Sequence, residues 1–156
     1  MNVQDSSAPR TVVVGLGRTG MSVVRHLRAQ GRAVAVTDTR AAPPELAQLR
    51  ALAPEVPVSA GGLDQGLLDG ADAIVVSPGM AARGAFFDAA RSRGLPVCGD
   101  IELFARAARA PVVGITGTNG KSTVTTLVGE MARRAGRRTR VGGNLGEPDR
   151  KSTRLN

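Results

Sequence analysis

The fold of this chain is decided by Thr11-Val12-Val13-Val14-Gly15-Leu16-Gly17-Arg18-Thr19-Gly20. Its first four residues form a short β-branched run of the kind that is buried on both faces of a parallel sheet. The three glycines that follow fit the strand-to-helix fingerprint of nucleotide-binding α/β folds. Because a glycine pattern of this kind is weak by itself, the residues around it decide its meaning.

The residues after this stretch continue the same pattern. Residues 21–28 have the spacing of an amphipathic helix, which Gly31 is expected to end. Residues 33–38 then predict a second strand, and it closes on an acid, Asp38, about twenty residues after the glycines. In dinucleotide-binding folds a carboxylate at this position binds a ribose. The context therefore favours a nucleotide-type ligand at the glycine loop.

Further short elements extend the predicted sheet. The sequence predicts strands at 56–59, 73–77 and 96–98 and helices at 45–52, 86–93 and 101–108. Ser77-Pro78-Gly79 lies where one of these strands ends, and open α/β sheets bind ligands at the carboxyl ends of their strands. We therefore expect an α/β fold with a Rossmann-like parallel sheet over residues 11–109, preceded by a flexible lead at 1–10.

A second glycine-rich stretch, Gly114-Ile115-Thr116-Gly117-Thr118-Asn119-Gly120-Lys121-Ser122-Thr123, has the pattern of a phosphate loop. It follows a predicted strand at 111–113 and precedes a predicted helix that ends at Gly136, with another strand expected at 138–141. A glycine-rich turn into a helix directs backbone N–H groups and the positive end of the helix dipole at one point. This arrangement suits a nucleotide triphosphate.

The Gly-Lys-Ser core of this loop is complete, although Ile115 stands where the standard pattern has its first glycine. Lys121 is the candidate catalytic residue, since a compact ammonium can enter a phosphate cradle and reach the β and γ phosphates. Ser122 would place its hydroxyl on Mg²⁺. The other candidate ATP-phosphate ligands are Gly117, Thr118, Asn119, Gly120 and Thr123. The alternative interpretation is a glycine-rich turn that a hydroxyl side chain caps.

Composition excludes several classes of protein. The net charge is +8, but the chain has three Phe, no Tyr and no Trp, so the aromatic platforms of single-strand nucleic-acid binders are nearly absent. A single cysteine, Cys98, excludes an internal disulfide and fits a reducing compartment. The sequence shows neither a secretory leader nor a run long enough to span a membrane. We therefore expect a cytoplasmic protein that does not bind nucleic acid.

Taken together, the motifs resemble the Mur ligases, and within that family the branch that adds D-glutamate. The segments that carry the resemblance are Gly15–Gly20, Asp38–Arg40, Ser77–Gly79, Gly99–Phe104, Thr116–Thr123 and Val141–Gly146. They come from two domains and occur in the family's order and spacing over about residues 11–147. The family's own variant of the phosphate loop also lacks the first glycine, which accounts for Ile115.

The resemblance implies a role for individual residues. The first domain would bind the UDP-linked substrate, UDP-N-acetylmuramoyl-L-alanine, instead of NAD. Arg18 and Thr19 match positions that meet its diphosphate, and Asp38, Thr39 and Arg40 match positions near its uracil end. Further substrate contacts match Ser77, Gly79 and Asn144.

The resemblance also implies the reaction. The family uses ATP and Mg²⁺ to phosphorylate the substrate carboxylate, and the amine of D-glutamate then attacks the acyl phosphate in a step of peptidoglycan precursor synthesis in the bacterial cytoplasm. This chain departs from the family by ending soon after the phosphate loop. We therefore expect residues 110–148 to be the start of a truncated ATPase domain, residues 149–156 to be a non-native tail, and the chain to be monomeric and inactive alone.

Three other interpretations remain open at this stage. Another Mur or folylpolyglutamate-type ligase would share the phosphate loop but should differ at Asp38–Arg40 and at Ser77. A dinucleotide-binding module would use the first glycine loop for NAD. A basic nucleic-acid binder would associate with generic DNA in a strongly salt-dependent manner.

Overall fold

The computed structural model describes residues 10–142, which divide into two compact units on either side of the peptide bond between Ala105 and Arg106. The predictions for Asn144, for the tail at 149–156 and for residues 1–9 of the lead lie outside the described residues. Arg10, the last residue of the predicted lead, is instead the first residue of a strand. None of the helices within residues 10–142 combines the length and the apolar character that a bilayer crossing requires.

The first unit is built on one five-stranded sheet whose strands all run parallel. The strands are β1 (Arg10–Val14), β2 (Ala33–Asp38), β3 (Val58–Ala60), β4 (Ala71–Val76) and β5 (Val97–Gly99). Their order across the sheet is β3-β2-β1-β4-β5, so the order reverses between β1 and β4. This confirms the predicted α/β class with a parallel, Rossmann-like sheet.

Helices connect the strands of the first unit, and one more helix follows the last strand. They are α1 (Arg18–Ala29), α2 (Leu46–Leu52), a 3-10 helix (Gln65–Leu68), α3 (Ala85–Ser92) and α4 (Asp100–Ala107), and α4 crosses the boundary between the units. The 3-10 helix was not predicted from the sequence. Its first turn is stabilised by Asp64, whose carboxylate accepts a hydrogen bond from the backbone N–H of Gly66 at 2.9 Å.

The central strand β1 shows why the opening stretch decides the fold. Val12, Val13 and Val14 are all 0% exposed, because helices cover both faces of the sheet. Val13 belongs to the core on one face, together with Val23, Val24 and Leu27 of α1 and Leu49 of α2. Val12 and Val14 belong to the core on the other face, with Leu68, Phe86 and Phe87.

The predicted third strand lies two residues further along the chain than expected. The sequence placed it at 56–59, whereas β3 begins at Val58. Val56 instead belongs to the turn after α2, where its N–H donates to the carbonyl of Ala53 at 3.1 Å and its side chain is buried in the core. Val56 is therefore buried in a turn and not in the predicted strand.

In the second unit, the predicted helix is present and the predicted strands are not. Helix α5 runs over Lys121–Arg134. The strands predicted at 111–113 and 138–141 are wrong, since residues 111–117 and 137–142 form neither helix nor strand. Val112 and Val113 are 59% and 71% exposed. A strand needs a neighbour to take up its backbone hydrogen bonds, and the described part of this unit provides none.

Candidate functional site

Three loops of the first unit meet at the carboxyl edge of the sheet, where the strand order reverses. They follow β1, β2 and β4, which are neighbours in the sheet. The loop after β1 is joined to β2 by the N–H of Gly15, which donates to the carbonyl of Thr37 at 2.8 Å. It is joined to the end of β4 by the hydroxyl of Ser77, which donates to the carbonyl of Gly15 at 3.0 Å. The structure therefore brings the predicted glycine loop and Ser77 into direct contact.

Gly20 allows the close packing of helix α1 on this loop. A Cβ atom at Gly20 would lie 1.9 Å from the carbonyl oxygen of Gly15, a distance that no side chain can adopt. The middle glycine, Gly17, differs, because a Cβ there would meet no protein atom within 4 Å. Gly17 immediately precedes α1 and leaves the helix N-terminus open to a ligand. Backbone N–H groups and the dipole of α1 make that surface suitable for a diphosphate.

Asp38 is the most constrained side chain of the site. Its side chain is fully buried, and each carboxylate oxygen accepts two hydrogen bonds. Oδ2 accepts from the N–H of Leu16 at 2.6 Å and from Nη2 of Arg40 at 2.7 Å. Oδ1 accepts from the backbone N–H of Arg40 at 2.8 Å and from its Nε at 2.9 Å. One carboxylate thus fixes both the glycine loop and Arg40.

These contacts change the acidity of both partners. The side-chain hydrogen bond from Arg40 is the largest cause that lowers the pKa of Asp38 to about 2, with the N–H groups of Leu16 and Arg40 adding to it and burial opposing it. The same hydrogen bond raises the pKa of Arg40 above its usual value. The ion pair is therefore charged throughout the physiological pH range.

The first prediction concerns the acid stability of the first unit. Because the pKa of Asp38 is lower in the folded state than its ordinary value of 3.8, its stabilisation is fully present above about pH 4 and is lost as pH falls toward 2. The shift corresponds to about 2 kcal/mol of unfolding free energy. Urea unfolding at several pH values should show a steeper loss below pH 4 in the wild type than in Asp38→Asn. Parallel curves for the two proteins would contradict the prediction.

The other predicted substrate residues of this unit lie on loops or helix ends at the same edge. Arg18, Thr39, Arg40 and Gly79 are exposed, whereas Thr19 and Ser77 are partly buried. The side chain of Arg40 is 48% exposed although Asp38 holds it in place. The edge therefore presents an oriented guanidinium to solvent.

A cavity that was not predicted from the sequence lies beside this edge. It has a volume of about 260 Å³ and is lined by Val76, Ser77, Pro78, Met80, Ala82, Val97, Cys98, Gly99 and Asp100. The cavity forms between the ends of β4 and β5, which are adjacent in the sheet. The one available sequence signal was that two predicted strands end near Ser77 and Cys98.

The phosphate-loop residues of the second unit are at the start of helix α5. Gly120, just before the helix, has φ = +73° and ψ = 0°, the left-handed conformation that favours glycine. The Nζ atom of Lys121 folds back over the loop and donates to the carbonyls of Gly117 and, at 3.2 Å, of Thr118. Thr118, Asn119, Ser122 and Thr123 are exposed. The loop thus carries an ammonium at the N-terminus of a helix.

Residues able to hold Mg²⁺ by themselves are not found between residues 10 and 142, where no group of three His, Cys, Asp or Glu side chains comes together. The exposed hydroxyl of Ser122, in the first turn of α5, is the donor that fits a magnesium ion carried by a nucleotide.

Comparison with known proteins identifies the family of the first unit. Residues 9–99 match the family described as Mur ligase MurD-like, N-terminal domain. The UDP-N-acetylmuramoylalanine--D-glutamate ligase of Marinobacter nauticus is 55% identical over 139 residues, which are 89% of this chain and 31% of that protein. The ligase of the same name from Pseudomonas fluorescens is 58% identical over 137 residues, which are 88% of this chain and 31% of that protein. The chain thus spans about a third of the length of these relatives.

Solved structures show the same fold. A pseudomurein peptide ligase type C from Methanothermus fervidus aligns with a TM-score of 0.54 and 26% identity, over 82% of this chain and 26% of that one. The UDP-N-acetylmuramate-alanine ligase MurC from Thermotoga maritima aligns with a TM-score of 0.56 and 21% identity, over 81% of this chain and 29% of that one. With a family match over more than half of its residues, the chain belongs to the Mur ligases, in which its first unit is a MurD-like N-terminal domain.

Proposed function

We propose that this chain is the N-terminal part of an ATP-dependent ligase that adds D-glutamate to UDP-N-acetylmuramoyl-L-alanine. The observation that carries the proposal is the edge of the first unit, where an open helix N-terminus lies beside an exposed arginine that Asp38 orients. A diphosphate and a polar base are the ligand groups that these two features fit. Relatives named for this ligation, at 55–58% identity, support the choice of substrate.

In the proposed complex, the diphosphate lies at the start of α1, next to Arg18 and Thr19. The uracil end lies at Thr39 and Arg40, with Asp38 behind them. Further substrate contacts come from Ser77, Gly79 and Asn144, the last of which is outside the described residues. The substrate domain comprises residues 11–109.

The geometry of Asp38 argues against the NAD-binding alternative. A dinucleotide-binding fold uses the acid after its second strand to accept hydrogen bonds from ribose hydroxyls. Here that carboxylate is 0% exposed, and protein N–H groups occupy both of its oxygens. A ribose has no free acceptor at this position.

In this proposal, ATP bound at the phosphate loop of the second unit supplies the energy of the reaction. Residues 110–148 are the start of an ATPase domain in which Lys121 and the N–H groups of residues 117–123 bind the phosphates of ATP. An oxygen of the substrate carboxylate attacks the γ-phosphorus, ADP leaves, and an acyl phosphate forms. The amine of D-glutamate then attacks the acyl carbon, losing a proton as inorganic phosphate departs. Mg²⁺ near Ser122 would offset the negative charge of the phosphates.

We assign the ligation reaction to a polypeptide as long as these relatives, because this chain spans 31% of the Marinobacter nauticus ligase. By itself the chain binds substrate as a monomer and forms no amide bond. The parent enzyme works in the bacterial cytoplasm, where UDP-activated precursors and ATP are available.

The second prediction tests the ligand of the first unit. Isothermal titration of the purified chain should show binding of UDP-N-acetylmuramoyl-L-alanine and of UDP, and no binding of NAD. Gly17→Ala should weaken both UDP ligands about ten-fold, because its methyl group would occupy the approach of the diphosphate to the backbone. Binding of NAD without binding of UDP would overturn the proposed function in favour of a dinucleotide-binding module.

A further inference from the structure

We infer that Asp38 is a positioning residue, which acts on the UDP-linked substrate by holding Arg40 and makes no contact with the substrate itself. The inference rests on the proposed function, because it concerns the same site. The two residues of this ion pair have different roles: Arg40 contacts the ligand, and Asp38 holds the side chain of Arg40 in one orientation.

The first observation is that Asp38 has no acceptor left for a ligand. An ionised carboxylate offers about four lone-pair sites. Four N–H groups of the protein occupy them, three from Arg40 and one from Leu16, at distances of 2.6 to 2.9 Å. The side chain is also 0% exposed, so a ligand would have to displace protein contacts to reach it.

The second observation is the geometry of the arginine. Arg40 uses Nε and one N–H of Nη2 to bind both oxygens of Asp38 in a bidentate pair. Of its five N–H donors, about three remain, and they lie on the side of the guanidinium away from Asp38. Since the side chain is 48% exposed, these donors and the guanidinium plane are available to a ligand.

The energetic consequence is pre-organisation. An arginine side chain loses rotamer entropy when a ligand immobilises it, and that loss weakens binding. Asp38 immobilises Arg40 when the protein folds, so the cost is met before the ligand arrives. The bond from the N–H of Leu16 to the same carboxylate fixes the orientation of Asp38 and, through it, that of Arg40.

A double-mutant cycle with UDP as the probe tests this inference. We expect Asp38→Asn and Arg40→Ala each to weaken UDP binding about ten-fold, and the double variant to be weaker than Arg40→Ala by less than about three-fold, because Asp38 acts through Arg40. An additive loss of about a hundred-fold in the double variant would overturn the inference, because Asp38 would then affect binding by a route that does not pass through Arg40.

Two further measurements complete the test. Arg40→Lys keeps the charge but cannot form the bidentate pair, and it should weaken UDP binding about as much as Asp38→Asn; wild-type affinity in Arg40→Lys would contradict the inference. This variant alters an exposed side chain, so it remains informative even where Asp38→Asn lowers stability.

In NMR spectra of the ligand-free chain, the Nε–H signal of Arg40 should be protected from exchange in the wild type and lost in Asp38→Asn. If the wild type binds no UDP, the proposed function fails; if it binds UDP and the cycle is additive, only the role of Asp38 fails.

Discussion

Gly20→Ala should lower the unfolding free energy of the first unit by about 3 kcal/mol or more. The added Cβ would lie 1.9 Å from the carbonyl oxygen of Gly15 and 2.9 Å from its carbonyl carbon. These are backbone atoms, and they cannot move freely, because Ser77 binds that carbonyl and the N–H of Gly15 binds β2. Helix α1 would have to shift away from the sheet, which would open the core around Val23 and Val24.

The matched control for this substitution is Gly17→Ala, three residues earlier, immediately before helix α1. A Cβ at Gly17 meets no protein atom within 4 Å, and its φ of −96° is an ordinary value for alanine. Urea unfolding should therefore separate the two variants, with Gly17→Ala close to the wild type and Gly20→Ala unfolded at a much lower concentration. Equal unfolding midpoints for Gly20→Ala and the wild type would show that α1 is not held against the loop as the structure has it.

The elements that the sequence predicted well are those whose cause is local. Val12–Val14 and Ile74–Val76 are apolar and β-branched over their whole length, and both form interior strands of the sheet. Val112 and Val113 are a similar, shorter apolar run, and Thr139 and Val141 alternate with arginines, but neither segment forms a strand. A strand depends on a neighbouring strand as well as on its own residues, and a neighbour distant in sequence leaves no trace in a local pattern.

The site shows the same division between local and distant causes. The structure brings the glycine fingerprint and the acid at the end of β2 into contact, because fold topology places the ends of neighbouring parallel strands together. Their role as one ligand site stays a prediction. The burial of Asp38 was not foreseen, since it depends on the position of Leu16 relative to β2. The cavity between β4 and β5 was missed for a related reason: it requires knowing that these strands are adjacent.

The largest effect on catalysis is expected from Lys121. We propose a chimera in which the 139 matched residues of this chain replace their counterparts in the full-length Marinobacter nauticus ligase. In that protein, Lys121→Ala should reduce the rate of ADP formation that depends on D-glutamate by about a hundred- to a thousand-fold. The ammonium, which lies over the carbonyls of Gly117 and Thr118, would be missing where negative charge develops on the transferred phosphoryl group.

Two charge-conserving variants on helix α5 make this prediction specific to position. Lys121→Arg should also lose most of the activity, because a planar guanidinium cannot replace a compact ammonium inside a phosphate cradle. Arg134→Lys exchanges the same two residue types at the other end of the helix, where the arginine is 80% exposed and pairs with Glu130, and it should retain full activity. If Lys121→Arg kept the wild-type rate, charge alone would suffice at this position, and the loop would not act as a fitted phosphate site.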